Sequence, residues 1–144
     1  MAIDYPAGNT RITATSTTSH TLNSTSSWTT HLTTGNFTTG ANSSITAFVN
    51  LVHGYESGNV NVIGELDLND GSTSTRQQLF CQGIGGNKAF GSHNMAWTWY
   101  NVGAGTYHVD LRIINKGSGT TGHTHYFHNG DNGVPDILIV TYNA

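Results

Sequence analysis

The feature that most constrains the fold is a strict alternation of apolar and polar residues over residues 105–114. Because successive residues of a strand point to opposite faces, a period of two predicts a half-buried antiparallel strand. A glycine-rich turn at residues 101–105 precedes it. We therefore expect the rest of the chain to supply partners for this strand. The apolar positions are Tyr107, Val109, Leu111 and Ile113, and the positions between them are His108, Asp110 and Arg112.

The composition favours an all-β protein. Charged residues make up only 9% and hydrophobic residues 35% of the 144 residues, and Thr, Ser, Asn and 18 Gly fill the difference. Disordered chains of low hydrophobicity are usually rich in Pro and poor in aromatics, whereas this chain has 2 Pro, 3 Trp and 6 Tyr. Threonine and aromatic residues favour strands, while glycine and asparagine favour tight turns.

Charge and cysteine content argue against several classes of protein. The net charge is -3 and the five Lys and Arg residues are dispersed, so nucleic acid is not the expected partner. The single cysteine, Cys81, excludes an internal disulfide and a thiolate zinc cluster. No apolar run approaches the ~18 residues of a membrane span. The N-terminus lacks the basic and apolar regions of a secretory signal, so we expect synthesis in the cytoplasm without export by that route.

The strand pattern predicts one domain, a two-sheet antiparallel jelly-roll sandwich over residues 11–144. Its inner strands are expected at residues 45–53, 60–68, 106–114 and 137–142, with shorter strands at 73–81, 95–100 and 120–127. The Thr/Ser tract at 11–34 is interpreted as two edge strands, with disorder as the alternative. Asn69-Asp70-Gly71 is typical of a hairpin. Residues 82–94 and 129–135 are predicted to be loops, and residues 1–10 an N-terminal arm.

Histidines are the residues most suggestive of chemistry. His123 and His125 lie two apart on a predicted strand and so share one face, where two imidazoles can share a metal. One copy of this strand supplies only two such ligands, whereas a three-fold axis would bring six together. The alternative is that both are half-exposed strand residues. An outward-facing strand is favoured because the neighbouring Tyr126, Phe127 and His128 do not form a clear pattern of inward-facing side chains.

Other candidate residues have simpler structural interpretations. Asp131, Asn132 and Asp136 can be read as a calcium loop, but a turn fits their spacing better. Trp97 and Trp99 are expected in the core with Met95, although one aromatic face could stack on sugars. Tyr100, on the opposite face, and Asn94 are the candidates for ligand or receptor contact. The sequence has no nucleophile beside a base, so we expect no enzymatic activity.

The order of strands and turns resembles that of the small jelly-roll virion proteins of tailed bacteriophages. The resemblance is carried by SWTT at 27–30, SITAFV at 44–49, GAGTYHVDL at 103–111 and DILIVTY at 136–142. It covers most of the chain from about residue 11. These proteins are distantly similar in architecture to tumour-necrosis-factor-like trimers.

The resemblance implies a non-enzymatic virion structural protein that forms a homotrimer. We expect a capsid cement or decoration protein that stabilises a phage head, located in the virion, with the major capsid protein or other virion proteins as partners. The alternative is a tail-fibre tip or a free carbohydrate-binding lectin of the same fold. The arm, with Ile3, Tyr5 and Pro6, would contact a neighbouring subunit or the shell. No cofactor is expected, unless His123 and His125 hold a divalent metal on the trimer axis, as similar pairs do in some phage fibres and spikes.

Overall fold

The computed structural model describes residues 9–18, 20–22, 26–55, 60–84, 90–116, 124–126 and 135–143. Within these ranges the chain forms strands joined by turns, without helix, and so has no helix that could cross a membrane. The strands are β1 (Asn9–Ser16), β2 (His20–Thr21), β3 (Thr29–Thr33), β4 (Phe37–Thr39), β5 (Ser43–Tyr55), β6 (Val60–Asn69), β7 (Ser74–Ile84), β8 (Phe90–Val102), β9 (Gly105–Asn115), β10 (Thr124–Tyr126) and β11 (Asp136–Asn143).

The strands form two antiparallel sheets with the topology of a jelly roll, as predicted. The first sheet runs β1-β11-β5-β8, with β10 and β2 added beside the end of β5. The second runs β3-β9-β6-β7, with the short β4 also paired to β9. Strands distant in sequence are thus neighbours in each sheet, which is the arrangement of a double Greek key.

The four predicted inner strands all lie between neighbours. β5 lies between β11 and β8, β11 between β1 and β5, β9 between β3 and β6, and β6 between β9 and β7. Their alternate residues meet in one core between the sheets, with apolar positions of β9 buried as the period of two predicts. The largest fully buried side chains are Ile45, Leu51, Leu66, Leu111, Ile113, Ile114 and Leu138.

The predicted hairpin at residues 69–71 joins β6 to β7. Asp70 Oδ1 accepts hydrogen bonds from the backbone N–H groups of Ser72 at 2.9 Å and Thr73 at 2.6 Å. Gly71 has a φ of 90°, a left-handed conformation that glycine adopts without a Cβ penalty. The two edge strands expected from the Thr/Ser tract correspond to β1, which pairs only with β11, and β3, which pairs only with β9, in the described part of the chain. The tract also contains the short strand β2, which was not predicted.

The predicted loop at residues 82–94 is wrong over most of its length. β7 continues to Ile84 opposite Val60, and β8 already begins at Phe90 opposite Gly54. The glycines of this stretch favour turns locally, but the ladder hydrogen bonds of two long neighbouring strands outweigh that preference. The first strand likewise begins at Asn9, two residues inside the predicted arm, and residues 1–8 lie outside the described ranges.

Only one of the two tryptophans expected in the core is buried. Trp99 is 7% exposed, whereas Trp97 is 39% exposed although it occupies the register position opposite the buried Ala47. β8 pairs with β5 alone among the described strands, so its outer edge lies at the open side of the sandwich. The period of two therefore predicts the correct face of the strand for Trp97, but it does not predict how exposed the side chain is.

Candidate functional site

Three polar side chains from distant parts of the sequence meet where the two sheets approach each other. His31 Nε2 of β3 lies 2.8 Å from Asp136 Oδ2 of β11, and His31 Nδ1 lies 3.0 Å from His20 Nε2 of β2. The side chains of His31 and Asp136 are 0% and 2% exposed. The other carboxylate oxygen, Asp136 Oδ1, accepts the backbone N–H of Val52 at 2.9 Å. These contacts connect both sheets through one buried carboxylate, and we call His20, His31 and Asp136 the histidine–aspartate cluster.

The environment of the cluster determines where its protons lie. A buried carboxylate acts as an acceptor, so His31 Nε2–H donates to Asp136, and in the neutral ring His31 Nδ1 accepts from His20 Nε2–H. Burial lowers the pKa of His20 below its usual range, and the neighbouring His31 lowers it further. His20 is therefore a neutral imidazole at physiological pH.

Of the two histidines predicted to bind metal, one lies in a described strand. His125 belongs to β10, where it is the register partner of His20 on one side and of Tyr55 on the other. His123, like His128, lies outside the described residues. Among the residues with described side chains, no three His, Cys, Asp or Glu are arranged as a metal site. The backbone nevertheless brings His125 beside the histidine–aspartate cluster.

A groove of about 560 Å³ runs along the open side of the sandwich, between β8 and the β6–β7 turn. Trp97 and the 72%-exposed Tyr100 line it from β8, and polar side chains line it from the turn. The other residues of this aromatic groove are Leu68, Asp70, Thr73, Thr75, Thr98, Trp99, Asn101, Val102, Gly103 and Tyr107.

A bulge in β8 explains the exposure of Tyr100. Ile45 pairs with Trp99 and Ser43 with Val102, so Tyr100 and Asn101 together stand opposite a single residue of β5. Asn101 adopts a φ of 55°, a left-handed conformation that asparagine tolerates better than most residues. The prediction that Tyr100 is a surface residue agrees with this geometry, while its role in ligand contact remains a prediction.

Asn94, the other candidate for ligand contact, does not lie with Tyr100. It is the register partner of Asn50 and lines a separate shallow depression on the outer face of the first sheet, beside Phe48 and Ile137. Phe48 is 46% exposed and is the register partner of both Ile139 and Ala96. We call Phe48, Ala96, Ile137 and Ile139 the apolar patch.

The outer face of the second sheet is charged instead. Arg112 Nη1 lies 3.0 Å from Asp67 Oδ2 and 3.4 Å from Glu65 Oε1, and its guanidinium group lies 5.6 Å from the ring centre of Trp28. The Glu65 and Asp67 side chains are 9% and 2% exposed. Both carboxylates lie on the face of β6 that points away from the core, yet they are almost inaccessible to solvent. Arg112, with the more exposed Arg76, neutralises them.

The sequence interpretation missed His20, His31 and the role of Asp136. Neither histidine belongs to a short motif, and Asp136 lies 105 positions from His31. The signal present in the sequence was only that His31 lies in a plausible strand. The interpretation of Asp136 as a calcium ligand does not match its position, because one carboxylate oxygen is hydrogen-bonded to His31 and the other to the backbone N–H of Val52. Asp131 and Asn132, and the arm residues Ile3, Tyr5 and Pro6, lie outside the described residues.

Comparison with known proteins gives structural but no sequence matches. No protein-family model and no curated protein matches the chain. Structures of infectious bursal disease virus, Gt and Gx strains, contain chains of similar fold, with TM-scores of 0.58 and 0.56 at 14% and 13% identity. The likeness covers 98% and 94% of this chain but 37% of each viral chain. At such identity it demonstrates a shared fold, and this chain spans little more than a third of those viral chains.

Proposed function

We propose that the protein is a non-enzymatic structural protein of a virus particle and that it works by assembling with copies of itself and with other virion proteins. The jelly-roll fold and its likeness to chains of a virus support this proposal. The finer proposal is a homotrimeric cement or decoration protein on the head of a tailed bacteriophage, as the resemblance implies. Fold alone does not determine function, so the argument depends on a surface suited to assembly.

The observation that carries the proposal is the contrast between the two outer faces. The outward side chains described on β5, β8 and β11 include no charged residue, and the apolar patch lies among them. The edge strand β1 adds Arg11 to this face, at the rim beside Thr141. The second sheet presents acidic and basic side chains instead. Depletion of charge around exposed aromatic and aliphatic side chains is typical of the centre of a protein interface. The first sheet is therefore the proposed contact face between subunits.

Substitution of Phe48 by glutamate tests this face. A carboxylate at the centre of the patch would be buried without a partner on association, so we expect the assembly to dissociate to monomers at micromolar concentration. Light scattering coupled to size exclusion measures the mass. Tyr100→Glu, an equally drastic change in the aromatic groove, should leave the mass unchanged. A monomeric parent protein, or equal masses for Phe48→Glu and the parent, would contradict the assembly proposal.

The cement role is tested on particles. We expect the protein to co-sediment with capsids that lack it, and the Phe48→Glu variant to bind them less because it no longer binds as a multimer. Binding to tail fibres without binding to capsids would instead support the tail-fibre alternative. Failure to bind any virion component would contradict a structural role in the particle.

The aromatic groove supports a second candidate function, recognition of a carbohydrate receptor. Exposed Trp97 and Tyr100 offer apolar ring faces, and Asp70, Thr73 and Thr75 offer polar groups for hydroxyls along the same groove. Because Asp70 Oδ1 takes the bonds of its own turn, Oδ2 is the oxygen that would face a ligand. A receptor-binding tip or a lectin would use this groove, whereas a cement protein would not need it.

A glycan array distinguishes these functions. If the groove binds sugar, we expect reproducible binding to a defined glycan, lost in Trp97→Ala and in Tyr100→Ala because stacking needs the ring faces. Asn94→Ala, in the separate depression, is the matched control and should retain binding. An array without reproducible binding, or binding unaffected by both groove variants, would contradict the carbohydrate function.

A further inference from the structure

We propose that the aromatic groove selects glycans that carry a free, protonated amino group over neutral and acidic glycans. The inference rests on the carbohydrate function proposed for this groove and names the class of sugar that its chemistry favours. It depends on one carboxylate, on the lack of a basic side chain among the described lining residues, and on the exposed faces of two aromatic rings. The volume of about 560 Å³ suits a small-molecule ligand.

Asp70 is the one charged residue among the described residues that line the groove. Its Oδ1 accepts hydrogen bonds from the backbone N–H of Thr73 at 2.6 Å and from the backbone N–H and the hydroxyl group of Ser72, both at 2.9 Å. These bonds, that from Thr73 most, lower the pKa of Asp70 below its ordinary value of 3.8. Asp70 is therefore an exposed carboxylate at neutral and mildly acidic pH, with Oδ2 outside the hydrogen bonds of the turn.

Basic side chains next to the groove in sequence point away from it. Thr75 lines the groove, and because successive strand residues point to opposite faces, Arg76 lies on the outer face of the second sheet, 3.6 Å from Asp67 Oδ2. His108 likewise lies 3.6 Å from Asp110 Oδ2 on that face. The described part of the groove is therefore negative. It attracts an ammonium group and repels the carboxylate or sulfate of an acidic glycan.

The rings of Trp97 and Tyr100 supply a second attraction for a cation. Both side chains are exposed and line the groove from β8. A cation over the face of a tryptophan or tyrosine ring is attracted by the ring quadrupole. A protonated amino sugar combines an apolar C–H face, which packs against an aromatic ring, with an ammonium group for Asp70 Oδ2. A neutral sugar offers only the first of these, and an acidic sugar adds repulsion.

A glycan array that carries each amino sugar in its N-acetylated and its free-amine form tests the selectivity. Acetylation removes the charge and leaves the sugar ring in place, and chitin and chitosan tetrasaccharides form one such pair. At mildly acidic pH, where the free amines are protonated, we expect the parent protein to bind the free-amine form about tenfold more tightly, the combined effect of an exposed cation–π contact and an exposed ion pair. Sialylated and sulfated glycans should not bind.

Asp70→Asn separates the charge of this residue from its role in the turn. The amide oxygen of asparagine can still accept the backbone N–H groups of Ser72 and Thr73. We expect this variant to lose the preference for free amines and to bind the N-acetylated forms as the parent does. Asp110→Asn removes the same charge from the outer face of the second sheet and should keep the preference. Circular dichroism checks the fold of both variants, and the comparison on the parent protein needs neither.

The outcomes distinguish this inference from the carbohydrate function itself. Equal or tighter binding of the N-acetylated forms, lost in Trp97→Ala, would overturn the selectivity and leave the carbohydrate function standing. Equal loss of the preference in Asp70→Asn and Asp110→Asn would also overturn it, because the overall charge of -3 would then be the cause. Absence of binding to any glycan would contradict both the selectivity and the carbohydrate function.

Discussion

Substitution of Arg112 by alanine is expected to lower the free energy of unfolding by about 3–5 kcal/mol, the usual cost of removing one partner from a buried ion pair. Arg112 Nη1 contacts Asp67 Oδ2 and Glu65 Oε1, and these carboxylates are almost inaccessible to water. Asp67 Oδ1 and Glu65 Oε1 already lack a hydrogen-bond partner in the described part of the chain. Without Arg112, only the half-exposed Arg76 would remain near the two buried carboxylates. Urea unfolding at neutral pH measures the loss.

Arg76→Ala is the matched control for this substitution. Arg76 Nε lies 3.6 Å from Asp67 Oδ2 and 3.9 Å from Glu65 Oε1, but its side chain is 53% exposed. Solvent screens an exposed pair, so we expect a loss of about 0–1 kcal/mol. Equal losses for the two arginines would show that burial of the pair does not determine its energy. A neutral Arg112→Ala variant would show that Asp67 and Glu65 are solvated.

The loss in Arg112→Ala should decrease on acidification. Burial raises the pKa of Glu65 above its ordinary value of 4.5, and Arg112 opposes this rise, so the substitution raises the pKa further. A carboxyl with a raised pKa is protonated more readily in the folded than in the unfolded state. Stability is therefore lost as pH rises from about 4.5 through the folded pKa, and is regained below it. Unfolding midpoints measured between neutral and mildly acidic pH should converge for the variant and the parent.

The two-sheet fold was predictable because its inner strands each carry a complete pattern. Val109, Leu111 and Ile113 alternate with polar residues, and this period determines which face each strand buries. A one-residue shift would bury Asp110 and Arg112 instead, so the register of β9 follows from the pattern as well. The hairpin was also predictable, since Asp70 and Gly71 form it through interactions with residues next to them in the sequence.

Features that depend on contacts between distant segments were not predictable in the same way. The glycines at 83 and 91 favour a loop locally, but pairing with β6 and β5 places them in strands. The exposure of Trp97 likewise depends on which strand forms the edge of the sheet. The histidine–aspartate cluster is the extreme case. His20, His31 and Asp136 come into contact only because the jelly-roll topology places β2, β3 and β11 close together. The spacing of these residues in the sequence does not predict the contact.

Asp136→Ala is expected to have the second large effect, a loss of about 3–5 kcal/mol in the free energy of unfolding, because two buried donors would each lose their acceptor at about 1–3 kcal/mol. The donors are His31 Nε2–H and the Val52 backbone N–H, which belong to different sheets. Asp136 is 2% exposed, so water does not replace the carboxylate at either donor. Chemical unfolding followed by tryptophan fluorescence measures the loss.

Asp136→Asn separates the charge of this residue from its hydrogen bonds, with an expected loss of about 1–2 kcal/mol, close to that of one weakened hydrogen bond. The amide oxygen can still accept the Val52 N–H. The amide nitrogen then faces His31 Nε2, and the conflict of two donors is relieved if His31 moves its proton to Nδ1 and donates to His20 Nε2, while His20 moves its own proton from Nε2 to Nδ1. A loss equal to that of Asp136→Ala would contradict this tautomer shift. It would mean that His31 is held as an imidazolium ion by the carboxylate charge, and nitrogen-15 chemical shifts of the His31 ring would identify that state directly.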